Sequence, residues 1–287
     1  MGLKRNQFGE PLPNLDRATI EGFGEEWGAF DQSGNIQDEL GVIFEQYFTL
    51  INFGDLPTPS VVMDVGCGSG RWAQFVAPHC SDLHLVDPSN QALNVARRNL
   101  ARFDNCFFHH ASTEELPLAD NSCDFIYSLG VLHHIPDTNS AIKDCVRKLK
   151  PGAPFLVYLY YRFDNRPAWF QMVWKASNMI RQVLSRLPFR AKRLLTDLIA
   201  ITIYLPLSRI STLAEKCKIN PKNIPLSIYR GHSIYTMRTD ALDRLGTRLE
   251  NRFTRAEIKA MLQDAGLERI VFQSNEPFWC AVGYKSV

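Results

Sequence analysis

The chain lacks any C-x-x-C pair and any even set of cysteines: its seven stand at 67, 80, 106, 123, 145, 217 and 280. This argues against a disulfide framework and a cysteine-ligated zinc centre, and a reducing, cytoplasmic setting is expected. Long apolar runs are also missing. The most apolar stretch, 198–207, holds ten residues and includes Thr202, Tyr204 and Pro206, so it reads as too short to cross a bilayer. Residues 1–14 have no apolar centre, so no secretory signal is expected. Asn6 stands where a myristoylation signal starting at Gly2 would need Ser or Thr. Charge of one sign is lacking overall: 32 Lys and Arg face 30 Asp and Glu, and the total names no partner. No repeat, low-complexity tract or clustered set of metal ligands is visible.

What is present is an ordinary globular composition, 45% hydrophobic and 22% charged over 287 residues. That length suits one large domain, or one domain with a substantial insert. Strand-like runs at 61–65, 83–86, 106–109, 124–128 and 154–160 alternate with helix-like runs starting at Arg71, Asn90 and Thr138. Such alternation predicts βαβ units and a parallel sheet covered on both faces. Beyond 162 the alternation stops. Residues 163–225 are helical in pattern and broken at Pro188, Pro206, Pro221 and Pro225, and residues 226–250 are mixed and polar. Thr254 then caps a helix to Ala265 that Gly266 stops. Residues 269–272 and 279–284 close the chain as a strand hairpin.

The sharpest motif is Asp64-Val65-Gly66-Cys67-Gly68-Ser69-Gly70, set between a strand and a helix. Glycines there permit positive φ and let a ligand approach backbone N–H groups. A dinucleotide fingerprint would need a third glycine at position 71, which is Arg, and no G-K-[ST] follows. A nicotinamide oxidoreductase is therefore the weaker alternative. Asp87 ends the next strand, where a short carboxylate can accept both hydroxyls of a ribose.

These residues resemble the class I S-adenosylmethionine-dependent methyltransferases, in particular the type 11 group. The likeness spans 60–160, including Ser112-Thr113 in the stretch 111–117 and Ser128 through His133 and His134, and resumes over 253–287. It implies an α/β, Rossmann-like class I methyltransferase sheet of order 3-2-1-4-5-7-6 with strand 7 antiparallel. It implies S-adenosyl-L-methionine as cofactor and S-adenosyl-L-homocysteine as product. Cofactor contacts then fall to Asp64, Gly66, Cys67, Gly68, Gly70, Asp87, Pro88, Ser112, Thr113 and Ser128. Many relatives carry Asp where Ser112 stands. The turn at Ser128-Leu129-Gly130 lacks the Pro-Pro stretch of the branch that methylates planar nitrogens.

Methyl transfer needs an aligned nucleophile and exclusion of water, with a base only when the acceptor must lose a proton. His133 and His134 are the first base candidates, and His232, within the aromatic and polar stretch 229–240, is the second. The catalytic expectation is His133, His232 and Tyr160. Tyr161, Tyr229, Arg230, Tyr235 and Arg238 are expected to line the acceptor pocket. Phe23, Trp27 and Phe30 share one helical face in a glycine-bearing segment, expected to be a lid that places Trp27 over the cofactor.

The division expected is an N-terminal lid segment over 1–45, a cofactor-binding α/β core over 46–162 and 251–287, and a mostly helical substrate cap over 163–250. Residues 162–260 carry 19 Lys and Arg against 7 acids, while the remainder carries 13 against 23. The basic insert suits an anionic small-molecule or lipid-linked acceptor, with oxygen as the attacking atom. It also suits peripheral contact with an anionic membrane. Two readings stay open beside these: an RNA methyltransferase of the tRNA wobble-uridine type, and a cofactor-binding scaffold that activates a partner enzyme.

Overall fold

The computed structural model describes residues 14–30 and 37–287. Gly2, Asn6 and the parts of the expected lid segment at 1–13 and 31–36 lie outside the described residues.

Seven strands form one sheet: β1 (Val61–Val65), β2 (Asp82–Asp87), β3 (Cys106–His110), β4 (Phe125–Leu129), β5 (Pro154–Tyr158), β6 (Leu267–Phe272) and β7 (Ala281–Lys285). Their order is β3-β2-β1-β4-β5-β7-β6, with β7 antiparallel to both neighbours and the rest parallel. This is the order the resemblance implied. Short apolar runs with both faces covered are what central parallel strands require.

The period-two alternation sorts side chains between two cores. Val62, Leu83, Leu85, Phe125, Tyr127 and Leu156 pack on one face with Ala73 and Val76 of α3 (Ala73–Val76). Leu93 and Ala96 of α4 (Asn90–Asn99) and Phe48 of α2 (Gln37–Phe48) complete that layer. Met63, Val65, Ile126, Phe155 and Val157 pack on the other face. Ile142 and Val146 of α5 (Thr138–Lys148) and Ile258 and Leu262 of α10 (Arg255–Asp264) cover them. The start of α10 is a capping box: Glu257 N–H donates to Thr254 Oγ1 at 3.2 Å and Thr254 N–H donates to Glu257 Oε2 at 2.7 Å.

The N-terminal helix α1 (Arg17–Ala29) starts at Asp16, whose Oδ1 accepts from Thr19 N–H at 2.8 Å, and packs against α4. Gly24 permits that approach, since a Cβ there would meet Ser89 and Gln91 within 2.8 Å.

The insert contains α6 (Ala168–Leu184), α7 (Phe189–Ile199), a π-helical turn (Ala200–Tyr204), α8 (Leu205–Lys216) and α9 (Ile234–Gly246). Four expectations need correcting here. Pro206 does not end a helix. The π turn just before it accommodates a residue that cannot donate to the preceding turn, and 189–216 runs as one helix. The apolar stretch judged too short is thus part of a 28-residue helix, long and apolar enough by length and composition to cross a membrane. One side of it nevertheless packs along α9. Third, the polar segment 226–250 contains α9, whose N-cap Ser233 accepts from Thr236 N–H at 3.2 Å. Trp279 lies before β7 rather than on it.

Candidate active site

The loop after β1 lies where the chain reverses direction across the sheet, since β1 is flanked by β2 on one side and β4 on the other. Ligands of open α/β sheets sit beyond the carboxyl ends of the strands at such a point. Gly66 has φ +80°, and a Cβ there would fall 2.3 Å from Val131. Gly68 has φ +54°, and a Cβ would meet the Trp27 ring at 3.0 Å. The loop is thus bare of side chains, its N–H groups at Gly66 and Cys67 bonded to the Val86 carbonyl, and Trp27 of α1 closes over it.

Asp87 is held by this loop. Its Oδ2 accepts from Gly68 N–H at 2.9 Å and its Oδ1 from Ser89 N–H at 2.8 Å. Burial pushes its carboxyl up to about 6, with those two N–H donors pulling the other way. Each oxygen keeps a further lone pair for a ligand hydroxyl. Trp27, Gly66, Cys67, Gly68, Asp87, Pro88, Ser112 and Thr113 line one cleft of about 1280 Å³, open to solvent. Thr113 Oγ1 is buried there without a hydrogen-bond partner.

Three expected cofactor residues lie off the cleft lining. Asp64 sits beneath the loop, 2% exposed, and burial pushes its carboxyl up to about 8. Ser128 Oγ donates to the Val65 carbonyl at 2.8 Å and ties β4 to β1. Gly70 faces helix α4, where a Cβ would meet Leu100 at 2.8 Å. All three shape the loop from behind. The Trp27 and Phe23 side chains of the expected lid do line the cleft, whereas Phe30 turns to the insert and meets the Tyr235 ring at 5.4 Å.

The acceptor side differs more from expectation. His133 is fully buried and off the cleft, its ring stacked on Tyr160 at 3.9 Å and its Nδ1 accepting from Tyr160 N–H at 3.4 Å. Burial and its charged neighbours hold its imidazole well below the usual histidine range. His134 is the one that lines the cleft. Its Nδ1 lies 2.7 Å from the Leu249 carbonyl oxygen, and its Nε2 is left without a partner. A carbonyl can only accept, so this contact assigns the proton to Nδ1 and the free lone pair to Nε2. Burial lowers the pKa of this imidazole as well, with Asp243 opposing.

Tyr160 lines the cleft, and its hydroxyl donates to Asp243 Oδ2 at 2.8 Å. Burial raises the Tyr160 phenol well above its ordinary value, so it holds Asp243 rather than serving as a base. His232 does not reach this cleft. It lines a neighbouring chamber of about 670 Å³ that shares Tyr47, Arg71, Tyr158, Asp240 and Arg244 with it.

Tyr158, Tyr160 and Arg244 also border a second cavity, a space of about 1420 Å³ likewise open to solvent and mostly apolar, walled by Phe170, Trp174, Ile199, Leu207 and Phe278 among others. Tyr161 lines it, as expected of an acceptor residue. The other expected acceptor residues go elsewhere. Arg238 forks onto Asp197 at 2.7 and 2.8 Å, and Arg230 reaches Glu215 at 3.4 Å. Tyr229 is buried in the insert core with its hydroxyl donating to Asp240 Oδ2 at 2.8 Å. The groups that do meet the cleft are Asp240, Asp243 and Arg244, one turn of α9, and sequence reasoning missed them. Their spacing of three and four is the one signal that could have found them.

A sheet of this order, with an acid and glycine loop after β1 and a second acid closing β2, defines a Rossmann-like class I methyltransferase architecture. Residues 63–157 match the family model described as a methyltransferase domain, and this part of the chain is a class I S-adenosylmethionine-dependent methyltransferase domain. Over 137 residues the chain is 36% identical to the ubiquinone/menaquinone biosynthesis C-methyltransferase UbiE of Rickettsia prowazekii (strain Madrid E), covering 40% of this chain and 55% of that protein. Over 111 residues it is 31% identical to phosphoethanolamine N-methyltransferase 2 of Caenorhabditis elegans, covering 38% and 25%. The chain thus spans about half or less of the length of these curated relatives. The fold is similar, with a TM-score of 0.52 and 14% identity, to a chain of the complex between the Haloferax volcanii Trm112 methyltransferase activator and a methyltransferase. That match covers 91% of this chain and 98% of the other. The site fits S-adenosylmethionine: the glycine cradle would crowd any side chain, Asp87 can still accept hydroxyls, and Thr113 Oγ1 lacks a partner.

Proposed function

We propose that the protein transfers a methyl group from S-adenosylmethionine to the oxygen of an elongated, largely apolar acceptor whose polar end carries the reacting hydroxyl. One observation carries this reading: the cofactor cleft and the apolar second cavity share Tyr158, Tyr160 and Arg244 as a common wall. An acceptor body packed among Phe170, Trp174, Ile203 and Leu207 would place its head at that wall, beside His134 and Arg244.

When bound, S-adenosylmethionine supplies an electrophilic methyl carbon on a neutral-leaving sulfonium. The chain's part is to hold, orient and dry. Asp87 accepts ribose hydroxyls, and the loop at Gly66 and Gly68, free of side chains, lets the ligand lie against the backbone, while its N–H groups brace the loop on Val86 and Asp87. Trp27 and Phe23 cover the cleft and limit water. His134 Nε2 takes the proton of the acceptor hydroxyl, because Leu249 keeps the other nitrogen protonated. Arg244, half-buried and facing both cavities, supports an acceptor head that is anionic or becomes so on losing its proton.

The named activities of the relatives, C- and N-methylation, are compatible with this domain acting on small molecules, and oxygen is our assignment from the His134 geometry. The test compares label transfer from methyl-labelled S-adenosylmethionine to phenols with long and short alkyl tails. A kcat/KM at least tenfold higher for the long tails is expected. Equal rates for both, or transfer to amines only, would contradict the reading.

A further inference from the structure

The helix 189–216 is inside out. The positions it turns into the domain recur every third or fourth residue, Lys192, Thr196, Ala200, Tyr204, Ser208 and Ser211, and most of them are polar. The face it turns outward carries Leu194, Leu198, Ile201, Ile210 and Leu213, each more than half exposed. An ordinary surface helix of a globular protein has the opposite arrangement. Helix α6 also turns apolar side chains outward: Met172, Met179, Ile180 and Val183 are exposed, while Arg181 is buried beside Leu184. Contiguous apolar surface of this kind marks an interaction site.

Charge and the cavity say what covers it. From 168 to 216 the chain has eight Lys and Arg and two acids. Both acids are already engaged, Asp197 by Arg238 and Glu215 by Arg230. Lys175 lies between Met172 and Met179 on one face of α6, Arg190 is one turn before Leu194, and Arg209 is one turn before Leu213. All three are exposed. Cations set among outward-facing apolar side chains complement an interface of anionic headgroups over acyl chains. The second cavity also ends on this face, since its lining residues Val173, Ile180 and Ile203 are about half exposed.

We propose that the outer face of α6 and of the helix 189–216 docks on the surface of an anionic phospholipid bilayer, so that the second cavity opens onto the acyl region. The docking stands on this face alone. Only the statement that an acceptor enters from the bilayer rests on the methyl-transfer reading.

The experiment is flotation of the full chain with vesicles of phosphatidylglycerol mixed with phosphatidylcholine, and with phosphatidylcholine alone. Titration with S-adenosylhomocysteine runs in parallel. Three cations near an anionic surface, each contributing about fivefold, predict at least a tenfold preference for the anionic vesicles. Leu198→Glu with Ile201→Glu is expected to cut vesicle binding at least tenfold and leave S-adenosylhomocysteine affinity unchanged. Lys175→Glu with Arg190→Glu is expected to erase the preference for anionic lipid. The docking is overturned by no flotation with either vesicle, or by flotation insensitive to both double variants. It is also overturned by a solution dimer that Leu198→Glu with Ile201→Glu converts to monomer, because a second copy would then cover the face. Flotation without S-adenosylhomocysteine binding keeps the docking and removes the methyl-transfer reading. Binding without flotation does the reverse.

Discussion

The Nδ1 atom of His134 lies 2.7 Å from the backbone oxygen of Leu249, a residue just beyond α9. This contact ties the turn after β4 to the insert and fixes which ring nitrogen is free. The segment after α9 therefore sets the protonation pattern of a side chain that the turn after β4 supplies.

His134→Gln is expected to lower kcat by about 10²- to 10⁴-fold, the usual range for loss of a positioned base. S-adenosylhomocysteine affinity should stay within twofold. Burial lowers the His134 pKa, so the base is already neutral at pH 7 and activity should lose its acid limb only below the ordinary histidine range. A kcat profile against pH for wild type and variant checks both statements. An unchanged kcat would remove the base assignment.

Asp87→Ala is expected to weaken S-adenosylhomocysteine binding at least tenfold, because two acceptor atoms for the ribose are lost. Burial pushes the carboxyl up to about 6. Protonation removes one acceptor, so wild-type affinity should fall as pH drops through that value, and Asp87→Asn should flatten the dependence. Calorimetry from pH 5 to pH 8 measures this.

Gly66→Ala combines a φ of +80° with a Cβ placed 2.3 Å from Val131. The backbone strain alone costs about 1–3 kcal/mol, and the contact adds to it. A fall in melting temperature of several degrees, accompanied by weaker cofactor binding, is expected.

Asp64 gives a stability prediction with a definite sign. Its folded pKa, about 8, stands above the unfolded value near 3.8. The folded state therefore holds a proton that the unfolded chain releases, and this contribution is lost as pH rises through 8. Between pH 4 and pH 8 the group should lower stability with pH by up to about 1.4 kcal/mol per unit. Asp64→Asn should remove that slope, as urea denaturation at a series of pH values would record.

The core was legible because its signals are local. A strand, the acid and glycine loop, a helix and Asp87 lie within a few tens of residues, and the sheet order followed from the resemblance they carried. The acceptor side was less so. Whether His133 or His134 faces the cleft depends on one turn of 3₁₀ helix, which places His133 against Tyr160 instead. Arg238 and Arg230 look like ligand-binding residues in a polar stretch, yet each is spent on an acid distant in sequence, Asp197 and Glu215. Asp240, Asp243 and Arg244 read as ordinary surface charges until α9 brings them under the cleft. The exposed apolar helix was hidden by Pro206, which a π turn absorbs.

The most direct measurement supplies the protein with methyl-labelled S-adenosylmethionine and an extract of the source cells separated into lipid, polar-metabolite and RNA fractions. The account predicts label in the lipid fraction, lost with Asp87→Ala and strongly reduced with His134→Gln. Label confined to RNA or to polar metabolites would contradict it, as would cofactor binding with no transfer to any fraction.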